Sequence, residues 1–150
     1  LKSTVLDEAD RYLAQSVELL AGEGTVATPF IIERLPFSDV RDTAASIESR
    51  IDAYSGCNAS QDEAGSEVYY RLELREKTKL RAMVFDRNEV DIDVHLLSAQ
   101  ATGGACIQRD HHSVEGEFEP GVYYFSLDTF VNSGGTPLAG EYLFVVIPAP

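Results

Sequence analysis

The run Glu119-Pro120-Gly121-Val122-Tyr123-Tyr124-Phe125-Ser126-Leu127-Asp128 limits the fold more than any other stretch of the chain. Proline presets φ at the second position of a turn and glycine accepts the conformation that follows, so Pro120-Gly121 marks a turn. Beyond it, Val122, Tyr124 and Ser126 alternate with Tyr123, Phe125 and Leu127. A period of two in β-branched and aromatic residues predicts a strand with its aromatic side in a core. Asp128 and Thr129 open a polar stretch that closes at Asn132-Ser133-Gly134-Gly135.

The same alternation recurs elsewhere. Val68, Tyr70, Leu72 and Leu74 face one way, with Tyr69, Arg71 and Glu73 opposite; Leu80, Ala82 and Val84 alternate with Arg81, Met83 and Phe85. In Val90, Ile92, Val94 and Leu96 against Asp91, Asp93 and His95, the two faces divide sharply, apolar inward and charged toward water. A final strand runs from Gly140 to Ile147, before Pro148-Ala149-Pro150 ends pairing. Pro29 within 25–35 argues for an edge strand or a break there. Residues 38–43 read as a polar connection, 44–50 as a short helical turn, 55–66 as a long loop, and the segment holding Cys106 as another loop. These elements predict an all-β chain folded as an antiparallel, jelly-roll-like β-sandwich of 7–9 strands.

The amino-terminal segment has a different texture. Leu6, Ala9, Leu13, Val17 and Leu20 recur at helical spacing, Ser3 or Thr4 suits a cap, and Gly22 and Gly24 supply a stop. The expected organisation is a short N-terminal helix and linker over 1–24 and a sandwich over 25–150. The chain begins at Leu1 without methionine or signal peptide, as a processed or excised piece would.

A net charge of −13, from 12 basic and 25 acidic residues, repels phosphate backbones and argues against nucleic acid as a partner. No apolar run approaches the roughly 20 residues that cross a bilayer. The two cysteines, Cys57 and Cys106, lie in polar, glycine-rich settings and lack metal-thiolate spacing. Paired, they would close a loop of about 50 residues, worth on the order of 4 kcal/mol on a chain-entropy account, and would imply an oxidising compartment; the alternative is two free thiols. Asn58-Ala59-Ser60 fits a glycosylation acceptor, a triplet frequent by chance.

Candidate chemistry is sparse. Asp91, Asp93 and His95 share one strand face and offer donors for a divalent metal, although a wet strand face carries such residues routinely. His95, His111 and His112 lack any zinc-protease spacing. No nucleophile elbow or phosphate-binding loop is present. Tyr69, Tyr123 and Tyr124 are the candidate binding-surface aromatics, whereas Tyr70, Phe125 and Phe144 fall on core faces.

The order of several pieces resembles the bacterial pre-peptidase C-terminal domain. These pieces are Leu35-Pro36-Phe37-Ser38-Asp39 with Asp42-Thr43, the Tyr54-Ser55-Gly56-Cys57 loop, and Glu67-Val68-Tyr69-Tyr70. Val90-Asp91-Ile92-Asp93-Val94, Pro120-Gly121-Val122-Tyr123-Tyr124 and Gly140-Glu141-Tyr142 follow. The likeness covers roughly residues 26–148. It implies a β-sandwich appended to secreted peptidases and other exported proteins, hence a secreted or cell-surface location. It also implies parent domains in cis as partners, with an extracellular polymer or protein as ligand. Relatives similar to clostridial collagen-binding domains bind calcium, and the acids that the matching region offers are Asp39, Asp42, Asp62, Glu63 and Glu67. The plainer reading of these acids is a solvated loop. The expected function is therefore a non-catalytic accessory module that binds a surface or aids secretion and folding of a parent enzyme. The alternatives are a calcium-stabilised structural linker and a small hydrolase.

Overall fold

A computed structural model describes residues 20–150 of the chain. The helix expected over 3–20 lies outside these residues except for Leu20, which is not helical and packs on the core. From there the chain is all-β, in two sheets. The strands are β1 (Phe30–Ile32), β2 (Phe37–Asp42), β3 (Glu67–Leu74), β4 (Thr78–Asp86), β5 (Ile92–Leu97), β6 (Cys106–Asp110), β7 (Ser113–Phe118), β8 (Gly121–Thr129) and β9 (Glu141–Pro148). The first sheet has the order β1-β3-β8-β5-β6, parallel between β1 and β3 and antiparallel elsewhere; the second, β2-β9-β4-β7, is antiparallel throughout.

Alternation explains how the sheets meet. Tyr70, Leu72, Val94, Leu96, Phe125 and Leu127 of the first sheet join Leu80, Val84, Val114, Tyr142, Phe144 and Val146 of the second in one apolar core. Each such side chain contributes about 1.5–3 kcal/mol on burial. Phe144 anchors the contact: its ring lies 4.8 Å from that of Tyr70 and 5.2 Å from that of Phe125. As Pro29 suggests, β1 is a short edge strand.

Three expectations need correction. Residues 38–43, read as a polar connection, lie largely in β2, where the inward position is filled by Asp39. Its carboxylate accepts from Tyr70 Oη at 2.7 Å and from Arg41 Nε at 2.9 Å, and Tyr70 Oη is 2.9 Å from Tyr142 Oη. The segment from Cys106 to Phe118, read as a loop, forms the hairpin β6–β7. Finally, β5 has no wet face, because all six of its residues are buried.

The reason for this last departure is a covering segment. Residues 46–66 cross the outer face of the first sheet instead of leaving it to solvent. Glu67 N donates to Glu48 O, Ser46 Oγ to Glu67 O, and Val131 N to Asp62 O. The segment carries its own small core: Ile51, Tyr54 and Ala59 pack on Tyr69, Leu97, Ala101 and Cys106. The Cys57–Cys106 disulfide, with a Cα–Cα distance of 5.2 Å, ties it to the start of β6. The two thiols are thus paired, as their setting suggested. The outer face of the second sheet has no such cover among the described residues. Phe85 is exposed there, with Val40, Met83, Leu143 and Val145 half-buried around it.

Candidate functional site

Beneath the covering segment the strand registers set polar residues in two rows. Glu67 on β3 pairs with Asp128 on β8, which pairs with Asp93 on β5. One step along, Tyr69 pairs with Ser126, Ser126 with His95, and His95 with Arg109 on β6. Neighbouring strands are about 4.8 Å apart, so three carboxyl groups stand side by side in the first row. Glu67, Tyr69, Asp93, His95, Ser126 and Asp128 are all buried. Alternation along each strand places these residues on one face, and the covering segment removes that face from water.

The covering segment also supplies partners. The Glu67 carboxylate accepts from the backbone N–H groups of Arg50 and Ile51. Tyr54 inserts its ring flat on His95, with centroids 3.6 Å apart and planes 13° apart. Its hydroxyl donates to Asp128 Oδ2 at 2.5 Å and accepts from Ser126 Oγ at 2.8 Å. Arg50 Nη1 donates to Tyr69 Oη at 3.1 Å. Glu63 descends from the segment toward His95 and Arg109, its Oε1 lying 3.7 Å from His95 Nε2 and 3.7 Å from Arg109 Nη2. Asp93 is held by Arg109 Nη2 on one oxygen and by His111 Nδ1, at 2.8 Å, on the other.

Burial controls the protonation of this cluster. Desolvation raises the Glu67 and Asp128 carboxyls, and the bond between them raises Asp128 further while lowering Glu67. Burial thus favours a proton held by the pair, and their mutual bond favours Asp128 over Glu67 as its carrier. Glu63 is pushed up to about 8 by burial against the opposing pull of Arg109, with Asp91, Asp62 and Glu67 adding to the rise. His95 is pushed down to about 3 by burial. A neutral His95 and a proton-sharing acid pair make the cluster far less charged than its composition suggests.

The candidate site residues fall in different places. Asp39 belongs to the core between the sheets, beside Tyr70. Asp42 caps the short turn at Thr43–Ala45 by accepting from Ala44 N, and Asp62 accepts from Ala64 N at the surface. Glu63 and Glu67 enter the buried rows. Among the described residues, the acids and histidines whose donor atoms converge within 4.8 Å are Glu63–Asp93–His95 and Asp91–Asp93–His111. Of the aromatics, Tyr69 is enclosed by the covering segment. Tyr123 is half-buried against Phe118, and Tyr124 is half-buried against the small second core. Tyr54, Arg109 and Asp128 were not singled out as site residues. Their signal is faint: a lone tyrosine in a loop, and polar residues at one parity on three strands.

No family model matches the chain, and no curated protein matches it in sequence. Solved structures with a similar arrangement of strands include the pre-peptidase C-terminal domain of collagenase from Bacillus anthracis, 11% identical over 75% of this chain and 89% of that one, with a TM-score of 0.46. Another is PliG of Aeromonas hydrophila, a periplasmic inhibitor of g-type lysozyme. It is 9% identical over 79% of this chain and 94% of that one, with a TM-score of 0.49. A third is the CBM35 of Cellvibrio japonicus Abf62, 12% identical over 74% of this chain and 98% of that one, with a TM-score of 0.31. At such identities and TM-scores, none of these likenesses assigns a ligand or an activity to this chain.

Proposed function

We propose that this domain is a non-catalytic accessory module of an exported protein and that it works by packing a sheet face, left uncovered by the described residues, against a protein partner, first of all another domain of its parent. The observation that carries this reading is the contrast between the two outer faces. The first sheet, which holds the titratable groups, is closed over by a disulfide-tied segment. The second presents Val40, Met83, Phe85, Leu143 and Val145 as one apolar patch. Ion pairs rim it, Arg81 with Glu115 and Arg87 with Glu141. An apolar centre with a charged rim is the composition of a protein interface, and exposed apolar patches of this kind mark interaction surfaces. The disulfide supports an oxidising compartment.

The test is co-sedimentation and pull-down of the domain against the remaining domains of its parent, collagen and insoluble polysaccharides, beside a broad hydrolysis screen. The expected result is capture by a protein partner that Phe85→Glu with Val145→Glu abolishes without changing the melting temperature. Turnover of a substrate, or capture unaffected by those substitutions, would overturn the reading.

A further inference from the structure

The cluster of Glu63, Asp93, His95 and Arg109 holds polar atoms that lack a hydrogen bond within the protein. Both oxygens of Glu63, Nε2 of His95 and Nε of Arg109 are buried without a hydrogen bond. Buried polar groups are satisfied in the great majority of cases, so orphans gathered in one cluster call for a water or an ion to satisfy them. The second sheet and its proposed partner play no part in this cluster.

The geometry of His95 identifies what that is. Its Nδ1 lies 3.4 Å from the carbonyl oxygen of Ser126. A carbonyl only accepts, so Nδ1 carries the proton and Nε2 presents its lone pair. Stacking on Tyr54 fixes the ring plane, and Nε2 lies 3.7 Å from Glu63 Oε1. A metal-ligating histidine typically donates one ring N–H to a backbone carbonyl or carboxylate and turns its other nitrogen to the ion, as His95 can here among buried carboxyl groups. We propose that Glu63, Asp93 and His95 form a binding site for a divalent transition-metal ion of the zinc class.

Distance, charge and chemistry agree. Donors held about 2.1 Å from one zinc ion stand roughly 3–4 Å apart. The 3.7 Å separation of Glu63 and His95 already meets this, and one donor from each of the three residues lies within 4.8 Å of the others. Asp93 and, once a bound cation displaces its proton, Glu63 would set two carboxylates against the single guanidinium of Arg109. An imidazole donor favours zinc, nickel or copper over calcium, which takes oxygen ligands. Arg109 on Oδ2 of Asp93 orients that carboxylate, and the ion would compete with His111 for Oδ1. Asp91 and the exposed His111 form a second set of donors that shares Asp93 with this group.

The experiment uses the complete chain after treatment with chelator, titrated with Co²⁺ and back-titrated with Zn²⁺. One equivalent of Co²⁺ is expected to give visible d–d bands that Zn²⁺ removes. Glu63→Gln is expected to weaken uptake by more than about tenfold, and by more than His111→Ala does, since His111 only hydrogen-bonds Asp93. Nitrogen NMR of the wild-type imidazoles is read in parallel, and Zn²⁺ should shift His95 Nε2. No uptake by the wild type, uptake lost in His111→Ala and kept in Glu63→Gln, or an unmoved His95 Nε2 would each overturn the site; the cluster would then hold ordered water. If Glu63→Gln does not fold, the His95 signal of the wild type decides.

Discussion

Glu67 and Asp128 stand directly opposite each other on β3 and β8, and both carboxyls are buried. Two ionised acids in that position would repel strongly. Burial raises both carboxyls, which favours a proton between them, and Tyr54 Oη and the N–H groups of Arg50 and Ile51 turn onto the pair.

That arrangement fixes a pH dependence for the chelated domain. Folding raises both carboxyls above their unfolded values, so the folded state keeps a proton that the unfolded chain has released. The associated stability is complete below the ordinary carboxylate range and is lost as pH rises through the folded values. Glu63, raised to about 8, extends the loss toward that pH. His95, lowered from 6.5 to about 3, contributes the opposite limb, with stability lost as pH falls through that interval. Urea midpoints should therefore be highest in mildly acidic buffer and fall toward pH 8. Glu67→Gln keeps an acceptor for Arg50 N and Ile51 N and can donate to Asp128. It should flatten part of the alkaline fall and leave the acidic one; an unchanged alkaline slope would show that the pair holds no shared proton.

The Cys57–Cys106 bond holds the segment that encloses these groups. Removing a native disulfide from a small secreted domain typically costs about 2–5 kcal/mol. For Cys57→Ser with Cys106→Ser, the loss should be concentrated in the covering segment. Hydrogen exchange is expected to quicken at Arg50 N and Ile51 N, whose acceptor is Glu67, while the β4–β9 ladder of the second sheet keeps its protection. Equal loss of protection in both sheets would mean that the segment and the sandwich unfold as one unit.

Gly56 tests the seating of the same segment by steric means. A Cβ built there would lie 2.4 Å from Gly104 O and 2.7 Å from Cys106 O. Both atoms are backbone and cannot rotate away, so the segment itself must shift. Gly56→Ala is expected to lower the urea midpoint and to speed proteolysis within 46–66. Alanine at Gly104, where a Cβ meets nothing, should do neither.

The strands legible in the sequence are those with an apolar inward face: β3, β4, β8 and β9. Strand β2 was hidden because its inward residue is Asp39, a carboxylate made tolerable by Tyr70 and Arg41, and no pattern of apolar residues reveals such a position. On β5, alternation correctly separated Asp93 and His95 from Ile92 and Val94. It could not tell a face open to water from one lying under a segment lined with its own polar partners. β6 and β7 have short, weak patterns, with Gly116 interrupting the second. The cluster at Glu63 joins a loop to two strands, and a single sequence carries no register between them.

The hydroxyl chain between the sheets gives the last prediction. Tyr142 Oη lies 2.9 Å from Tyr70 Oη, which donates to Asp39 Oδ2 at 2.7 Å. With the Tyr70 proton committed to Asp39, Tyr142 must be the donor in the tyrosine pair. All three groups are buried. Tyr142→Phe removes the terminal donor, and Tyr70 still serves Asp39, so the cost should be that of one net hydrogen bond, about 0.5–1.5 kcal/mol. Tyr70→Phe deprives Asp39 of a donor and leaves the Tyr142 hydroxyl facing a ring edge, stranding buried groups on both sides. It should therefore cost more, about 1–3 kcal/mol, even though Arg41 continues to pair with Asp39. Urea denaturation of the two single variants and the double variant measures this directly. The double variant should be scarcely less stable than Tyr70→Phe alone, because the second substitution removes a hydroxyl that the first had already left unpaired. Simple additivity would mean that the two hydroxyls act independently of each other.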